Sequence, residues 1–147
     1  MRHVTGVQTC ALPILLEAPL TALCVPSIAE QLHTPADLLK QTVLRSYRAD
    51  EWSLWFQAAG LPADTLVPRS IVFDSSLAMM EAALQGVGVA LAPALMFSRQ
   101  LESDAIRQPF NVGISTGSYW LTRLQSRAET SAMLAFKGWL SEAAAEV

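Results

Sequence analysis

The chain has 147 residues, of which 52% are apolar and 16% charged, and it contains seven Gly, eight Pro and two Cys. This composition excludes a collagen-like repeat, low-complexity disorder and a disulfide-stapled miniprotein, and it predicts a buried core. The net charge of -3 leaves no basic surface that could neutralise a run of phosphates, so we do not expect this chain to bind nucleic acid by itself.

The first 14 residues do not look like natural protein sequence. The segment Val4–Ile14 resembles the translation of a sequencing-library adapter, and we treat residues 1–14 as a non-native segment. A poor signal peptide is the alternative, but Pro13 inside the apolar run and Glu17 just after it argue against one. We expect residues 1–14 to lack tertiary contacts or to pack poorly, with natural sequence beginning abruptly in the middle of a strand.

Hydrophobic periodicity divides the rest of the chain into alternating strands and helices. Trp52, Trp55, Phe56 and Ala59 recur at the spacing of one helix face before Gly60, which is typical of a helix with a glycine stop. The predicted strands are 15–25, 42–47, 69–74, 86–92, 106–110 and 118–124. The predicted helices are 26–32, 35–40, 49–59, 75–85, a segment ending near 101, and 129–145. This alternation predicts an α/β fold with a mostly parallel sheet, whose ligands bind at the carboxyl ends of the strands.

Signatures of enzymes and of membrane spans are scarce. The longest aliphatic stretch, Val87–Phe97, is well short of the roughly 20 apolar residues of a spanning helix, which predicts a soluble protein. His33 is the only histidine after residue 14, so we expect a surface or capping role for it. Cys24 is expected in the core, and Gly86 and Gly88 in a turn. We predict no catalytic residue, no metal site and no cofactor.

The most distinctive local pattern is Phe73-Asp74-Ser75-Ser76-Leu77, where a strand is predicted to end and a helix to begin. Free backbone N–H groups and two hydroxyls at such a junction can bind a carboxylate or amide oxygen. The alternative is an ordinary helix cap without a ligand, because Asp and Ser are common capping residues.

Two further side chains could contribute to a ligand site. Arg48 could attract an anionic ligand, although an exposed salt bridge with Asp50 or Glu51 is the default expectation. Tyr119 combines an apolar ring with a hydroxyl and would suit the mouth of a cleft, but a lone Tyr more often serves packing.

Five sequence segments together point to a protein family. They are Leu44–Arg48 with Asp50–Trp52, Val72–Ser76, Gly88–Pro93, Gln108–Phe110 and Gly117–Arg127. These segments resemble the carboxyl-terminal half of a LysR-type transcriptional regulator, in the branch that controls inducible β-lactamase. The resemblance implies an α/β effector-binding domain with the fold of a type-2 periplasmic binding protein, truncated at its start. Residues 15–20 would be a remnant of the first lobe, 21–117 the second lobe, and 118–147 the crossover strand and terminal helix of the first lobe.

The resemblance also implies a ligand and partners. Regulators of this branch sense cell-wall muropeptides or a UDP-linked muramyl peptide in the cytoplasm, and Ser76 and Tyr119 match residues that line their pocket. Ser75 and Arg48 are secondary candidates. The helix 75–85 matches one that pairs between subunits, and DNA would be bound only by an amino-terminal domain absent from this chain. The alternative from another class is a periplasmic solute-binding protein of the same fold.

Overall fold

The computed structural model describes residues 9–48, 50–67 and 69–146. The strands are β1 (Thr9–Glu17), β2 (Leu20–Leu23), β3 (Val43–Arg45), β4 (Ser70–Val72), β5 (Val89–Pro93), β6 (Gly113–Ile114) and β7 (Ser118–Leu124). The α-helices are α1 (Pro26–Ala29), α2 (Glu51–Ala58), α3 (Ser76–Leu84), α4 (Ser98–Glu102) and α5 (Ser131–Ala145), and 3-10 turns span Pro35–Lys40 and Ala94–Phe97. The chain forms two compact units, a larger one of residues 19–116 and a smaller one that combines the segments before and after it.

The larger unit contains a five-stranded sheet in the order β4-β3-β5-β2-β6. Strand β3 pairs in parallel with both β4 and β5, while β2 runs antiparallel to β5 and to β6. The prediction of a mostly parallel sheet is therefore wrong for β2 and β6. Helices α2 and α3 connect β3 to β4 and β4 to β5, and such crossovers produce parallel neighbours, whereas no crossover helix joins β2 directly to β5.

Alternate residues of the central strands point into two separate cores. Val43, for example, belongs to a cluster with α2, whereas the next residue, Leu44, belongs to a cluster with α3. Because successive side chains of a strand lie on opposite faces, α2 and α3 cover opposite faces of the sheet. Trp52 and Trp55 are completely buried, which confirms their predicted place in the core.

The buried indoles of α2 are also satisfied as hydrogen-bond donors. Trp52 Nε1 donates to the Leu44 carbonyl oxygen at 3.0 Å, and Trp55 Nε1 donates to that of Val112 at 3.1 Å. Phe56 packs against both rings, with centroid distances of 5.6 and 5.7 Å. A buried N–H without an acceptor is costly, so these bonds fix α2 against the strands it covers.

The predicted glycine turns are present. Gly60 ends α2 with φ +87°, and Gly86 ends α3 with φ +76°, a backbone region that favours glycine at helix ends. Gly88 has a different role, because a Cβ at this position would collide with the carbonyl oxygen of Thr42. That oxygen accepts the backbone N–H of Val89 at 2.9 Å, so Gly88 permits the close approach that begins the β3–β5 ladder.

Two predicted strands differ in the structure. Residues 15–25 divide into β1 and β2 around Ala18 and Pro19, because Pro19 has no N–H to continue a ladder. Residues 106–110 form only one antiparallel bridge, between Arg107 and Cys24, and Pro109 lacks the donor that a longer ladder needs. The sixth strand of the chain is instead the short Gly113–Ile114.

In the smaller unit, β1 runs antiparallel to β7, from Thr9 opposite Leu124 to Glu17 opposite Ser118. The expectation that the first 14 residues lack tertiary contacts is therefore wrong for residues 9–14, whereas their side-chain packing and the whole of residues 1–8 lie outside the described part. Strand pairing uses backbone groups that every non-proline residue carries, so a segment of any origin can form it. Helix α5 begins after Thr130, whose side chain accepts the N–H of Met133 at 3.2 Å.

Replacing Gly88 should separate steric conflict from backbone entropy. Gly88→Ala is expected to lower the free energy of unfolding by about 1–3 kcal/mol, because the methyl group meets a carbonyl oxygen of the sheet. Gly138→Ala is the matched control in the middle of α5, where an added Cβ meets nothing within 4 Å, and it should stabilise by about 0.5–1 kcal/mol. Thermal and urea unfolding of both variants measure these effects. A change of the same sign in the free energy of unfolding of both variants would contradict the packing assigned to Gly88.

The Asp37 carboxylate should make the free energy of unfolding depend on pH in the acidic range. It accepts the Thr34 N–H at 2.9 Å and the Lys40 ammonium at 3.2 Å, and these bonds, the Thr34 N–H foremost, lower the pKa of Asp37 to about 2. Since the unfolded value is about 3.9, the stabilisation is complete above that pH and is lost as the pH falls through about 2. The free energy of unfolding of Asp37→Asn should therefore be lower than that of the wild type near neutral pH. The two values should converge near pH ~2 when unfolding is measured across this range.

Candidate functional site

The carboxyl ends of β3 and β4 lie side by side at one edge of the sheet. Arg45 is the register partner of Val72, and the N–H of Phe73 donates to the Arg45 carbonyl oxygen at 2.9 Å. The turn that follows β3 and the turn that leads into α3 are therefore neighbours. This is the edge at which the sequence predicts a ligand.

Ser75 and Ser76 have different roles in the structure. The hydroxyl oxygen of Ser75 accepts the N–H of Ala78 at 3.4 Å, and the Ser75 carbonyl accepts that of Met79, so Ser75 is the helix cap. Ser76 is the first helical residue, and its exposed hydroxyl forms no hydrogen bond with the described residues. The capping alternative is correct for Ser75, and Ser76 is the hydroxyl that remains available.

Arg48 lies in the turn after β3, and its side chain is exposed. The expected salt bridge with Asp50 or Glu51 does not form within the described residues, because the Glu51 carboxylate turns inward and accepts the Ser46 hydroxyl at 2.7 Å. The pKa of Arg48 is nevertheless raised, first by a hydrogen bond with the Tyr47 side chain and then by nearby negative charge. The Ser46–Glu51 hydrogen bond was not predicted from the sequence, because Ser and Glu are common near helix starts and their presence does not indicate that they contact each other.

Tyr119 lies on β7 of the smaller unit, opposite Leu16, with its side chain 47% exposed. It is thus neither a core residue nor fully solvated. Ser75, Ser76 and Arg48 all belong to the larger unit, so the structure brings these three to one sheet edge and places Tyr119 in a different unit.

The residues considered for other chemistry have structural environments. Cys24 is completely buried, and burial raises the pKa of its thiol to about 11, which keeps it protonated at neutral pH. His33 is exposed and its backbone N–H donates to Asp37 at 3.2 Å. Among residues 9–48, 50–67 and 69–146, no cluster of acidic, His and Cys side chains could hold a metal ion, and no helix is long and apolar enough to span a bilayer.

Two cavities among the described residues were not predicted from the sequence. One of about 290 Å³ lies in the smaller unit between β7 and α5 and is lined mainly by apolar groups, including Leu121, Met133 and Phe136. The other, of about 270 Å³, lies at the amino ends of β3 and β4, next to Lys40 and Arg69. Both cavities depend on how neighbouring elements pack in space, and a local sequence pattern does not indicate that packing.

Comparison with known proteins relates this chain to bacterial regulators. It is 75% identical over 131 residues to the HTH-type transcriptional activator AmpR of Pseudomonas aeruginosa, covering 89% of this chain and 44% of that protein. It is 58% identical over 128 residues to AmpR of Enterobacter cloacae, covering 87% and 44%. The chain therefore spans less than half the length of these curated relatives, which are transcriptional regulators and not enzymes.

Solved structures of such regulators share the fold. The effector domain of Pseudomonas aeruginosa AmpR matches with a TM-score of 0.86 and 74% identity, over 93% of this chain and 66% of that one. The effector-binding domain of Citrobacter freundii AmpR matches with a TM-score of 0.87 and 49% identity, over 95% and 69%. These matches confirm the predicted α/β, periplasmic-binding-protein-like fold. The model of the LysR substrate binding domain matches residues 10–145, and the chain belongs to this family.

Proposed function

We propose that this chain is the effector-sensing part of a LysR-type regulator that binds cell-wall muropeptides and controls β-lactamase expression. Ser76 and Tyr119 are its primary ligand-binding residues, and Ser75 and Arg48 contribute. DNA is bound by a helix-turn-helix domain outside this chain, as the names of the AmpR relatives suggest. The net charge of -3 agrees with this division, because the chain itself offers little attraction to phosphates.

The observation that carries the proposal is the unequal use of the two serines at the start of α3. Ser75 is occupied as the cap, whereas the hydroxyl of Ser76 and the backbone N–H groups of Ser76 and Leu77 have no partner among the described residues. These donors, together with the positive end of the helix dipole, suit a peptide carboxylate or amide oxygen.

A related structure supports the same pair of residues. One solved form of the Citrobacter freundii effector-binding domain carries three substitutions, Thr to Val, Ser to Ala and Tyr to Phe, and each of them removes one hydroxyl group. The substituted serine and tyrosine stand as far apart in that sequence as Ser76 and Tyr119 do here. This equal separation favours Ser76 over Ser75, in agreement with the capping geometry.

The relatives also favour a regulator over a solute-binding protein of the same fold. Those with high identity are named as transcriptional activators, and the related BlaA protein of Proteus vulgaris, 44% identical, is named as a transcriptional regulator. We place the protein in the cytoplasm for the same reason, because a regulator that binds the chromosome acts there.

Helix α3 also provides the surface for self-association that we propose. Met79, Met80 and Ala83 face the sheet and are buried, while Leu77 is 75% exposed at the other side of the helix. Glu81 is exposed on the same side as Leu77, and a second copy of the protein that covered this side would bury the Leu77 side chain.

Removal of the two hydroxyls should weaken effector binding without unfolding the protein. We expect Ser76→Ala and Tyr119→Phe each to reduce the affinity of the full-length protein for UDP-N-acetylmuramyl pentapeptide by about 5- to 30-fold, since each loses one buried hydrogen bond in the complex. Isothermal titration calorimetry measures the affinity, and thermal unfolding measures stability.

Ser131→Ala is the matched control for this experiment. Ser131 is likewise the exposed first residue of a helix that follows a capping side chain, here Thr130. The Ser131→Ala substitution should leave the affinity for UDP-N-acetylmuramyl pentapeptide unchanged. Unchanged affinity in both Ser76→Ala and Tyr119→Phe would refute the assigned pocket.

A charge on the exposed side of α3 should disrupt self-association. Leu77→Lys is expected to shift the full-length protein toward smaller species in sedimentation velocity, because burying an unpaired ammonium in an interface is costly. Leu66→Lys is the control, since Leu66 is 88% exposed but lies in a loop. The same distribution for Leu77→Lys and wild type would exclude α3 from the interface.

A further inference from the structure

The turn after β3 is held by a serine hydroxyl that acts in both directions. Ser46 donates its hydroxyl proton to the Glu51 carboxylate at 2.7 Å, and its oxygen accepts the backbone N–H of Arg48 at 3.2 Å. Its backbone carbonyl also accepts the Arg45 guanidinium at 3.3 Å. The first two of these hydrogen bonds restrain Ser46 and Arg48 relative to the start of α2.

Glu51 is a rigid anchor for this turn. It is only 5% exposed, which is unusual for a carboxylate, and its Oε2 atom accepts the Ser46 hydroxyl. It is the first residue of α2, where the helix dipole favours a negative charge. The next residue, Trp52, is completely buried and bonded to the Leu44 carbonyl, so the position of Glu51 is fixed relative to β3.

The restrained turn presents a cation at the edge where Ser76 lies. Arg48 is exposed and, among the described residues, has no ion pair within 4.0 Å, and Tyr47 beside it is 71% exposed. Asp50 and Asp74 are exposed acidic groups of the two turns, and the Glu51 carboxylate, although it accepts the Ser46 hydroxyl, also places negative charge near Arg48. A restrained turn loses less conformational entropy when Arg48 binds a ligand.

We propose that Ser46 and Glu51 are positioning residues that hold Arg48 to bind an anionic group of the effector, a phosphate or a carboxylate. This deepens the proposed function and rests on it. Arg48 contacts the ligand directly through its planar guanidinium, whereas Ser46 and Glu51 act only through the shape of the turn.

A double-mutant cycle in the full-length protein tests this assignment with UDP-N-acetylmuramyl pentapeptide as ligand. Arg48→Ala should weaken binding about tenfold, the loss typical of one charge-assisted hydrogen bond, and should reduce the salt dependence of the affinity. Ser46→Ala should weaken binding in the wild-type background but cause no further loss in the Arg48→Ala background. Equal effects of Ser46→Ala in both backgrounds would show that Ser46 does not act through Arg48, and would overturn the proposal.

Conservative substitution at Glu51 separates positioning from general stability. Glu51→Gln keeps an oxygen that accepts the Ser46 hydroxyl and should retain affinity within about twofold, whereas Glu51→Leu should lose about as much as Ser46→Ala. Ser103→Ala is the matched control, because Ser103 is an exposed turn serine whose hydroxyl also donates a hydrogen bond, to Gln100 at 3.2 Å. If the affinity falls in proportion to the melting temperature across all these variants, the effect is one of general stability, and a positioning role is contradicted.

Two further arms identify the anionic group and separate this inference from the proposed function. If Arg48→Ala weakens binding of the UDP-linked peptide but not of a muramyl peptide without the nucleotide, the anionic group is a phosphate. If Arg48→Ala weakens binding of both peptides, the anionic group is a carboxylate.

If Ser76→Ala weakens binding and Arg48→Ala does not, the proposed function stands and this inference fails. If the wild type binds no muramyl peptide, the proposed function fails, and inorganic pyrophosphate then tests the turn. Pyrophosphate should shift the amide resonances of Ser46 and Arg48 in the wild type and not in Ser46→Ala, and unchanged resonances would overturn the inference.

Discussion

Phe73 donates its backbone N–H to the carbonyl oxygen of Arg45, and this hydrogen bond closes the parallel ladder of β3 and β4. Parallel strands must end at the same edge, so the turn with Arg48 and the start of α3 with Ser76 become neighbours although they are far apart in sequence. The crossover helix α2 satisfies this geometry and buries its two tryptophans against the sheet. The arrangement of polar groups at the edge follows from the direction of the strands.

Much of the fold follows from local sequence patterns. The spacing of Trp52, Trp55 and Phe56 indicates α2, and the stop at Gly60 is a property of the residue itself. The direction of β2 and the absence of a strand around Pro109 depend on which segments meet in space, and hydrophobic alternation carries no information about that. Backbone pairing of β1 with β7 is equally invisible to composition, because it needs no particular side chains.

The candidate site was less predictable than the fold. The pattern Asp74-Ser75-Ser76 indicates a helix start, but only the geometry of the cap distinguishes the occupied hydroxyl of Ser75 from that of Ser76. The preference for Ser76 and Tyr119 came from the family resemblance. The inward turn of Glu51 could not be predicted, because an acidic residue at the start of a helix is normally solvated.

The four tryptophans of the chain give each unit its own optical signal. Trp52 and Trp55 lie in the dry interior of the larger unit and should emit at short wavelength, whereas the half-exposed Trp120 and Trp139 of the smaller unit should emit at long wavelength. An external quencher such as iodide would extinguish the second pair first. Intrinsic fluorescence can therefore follow the loosening of one unit independently of the other without any added dye.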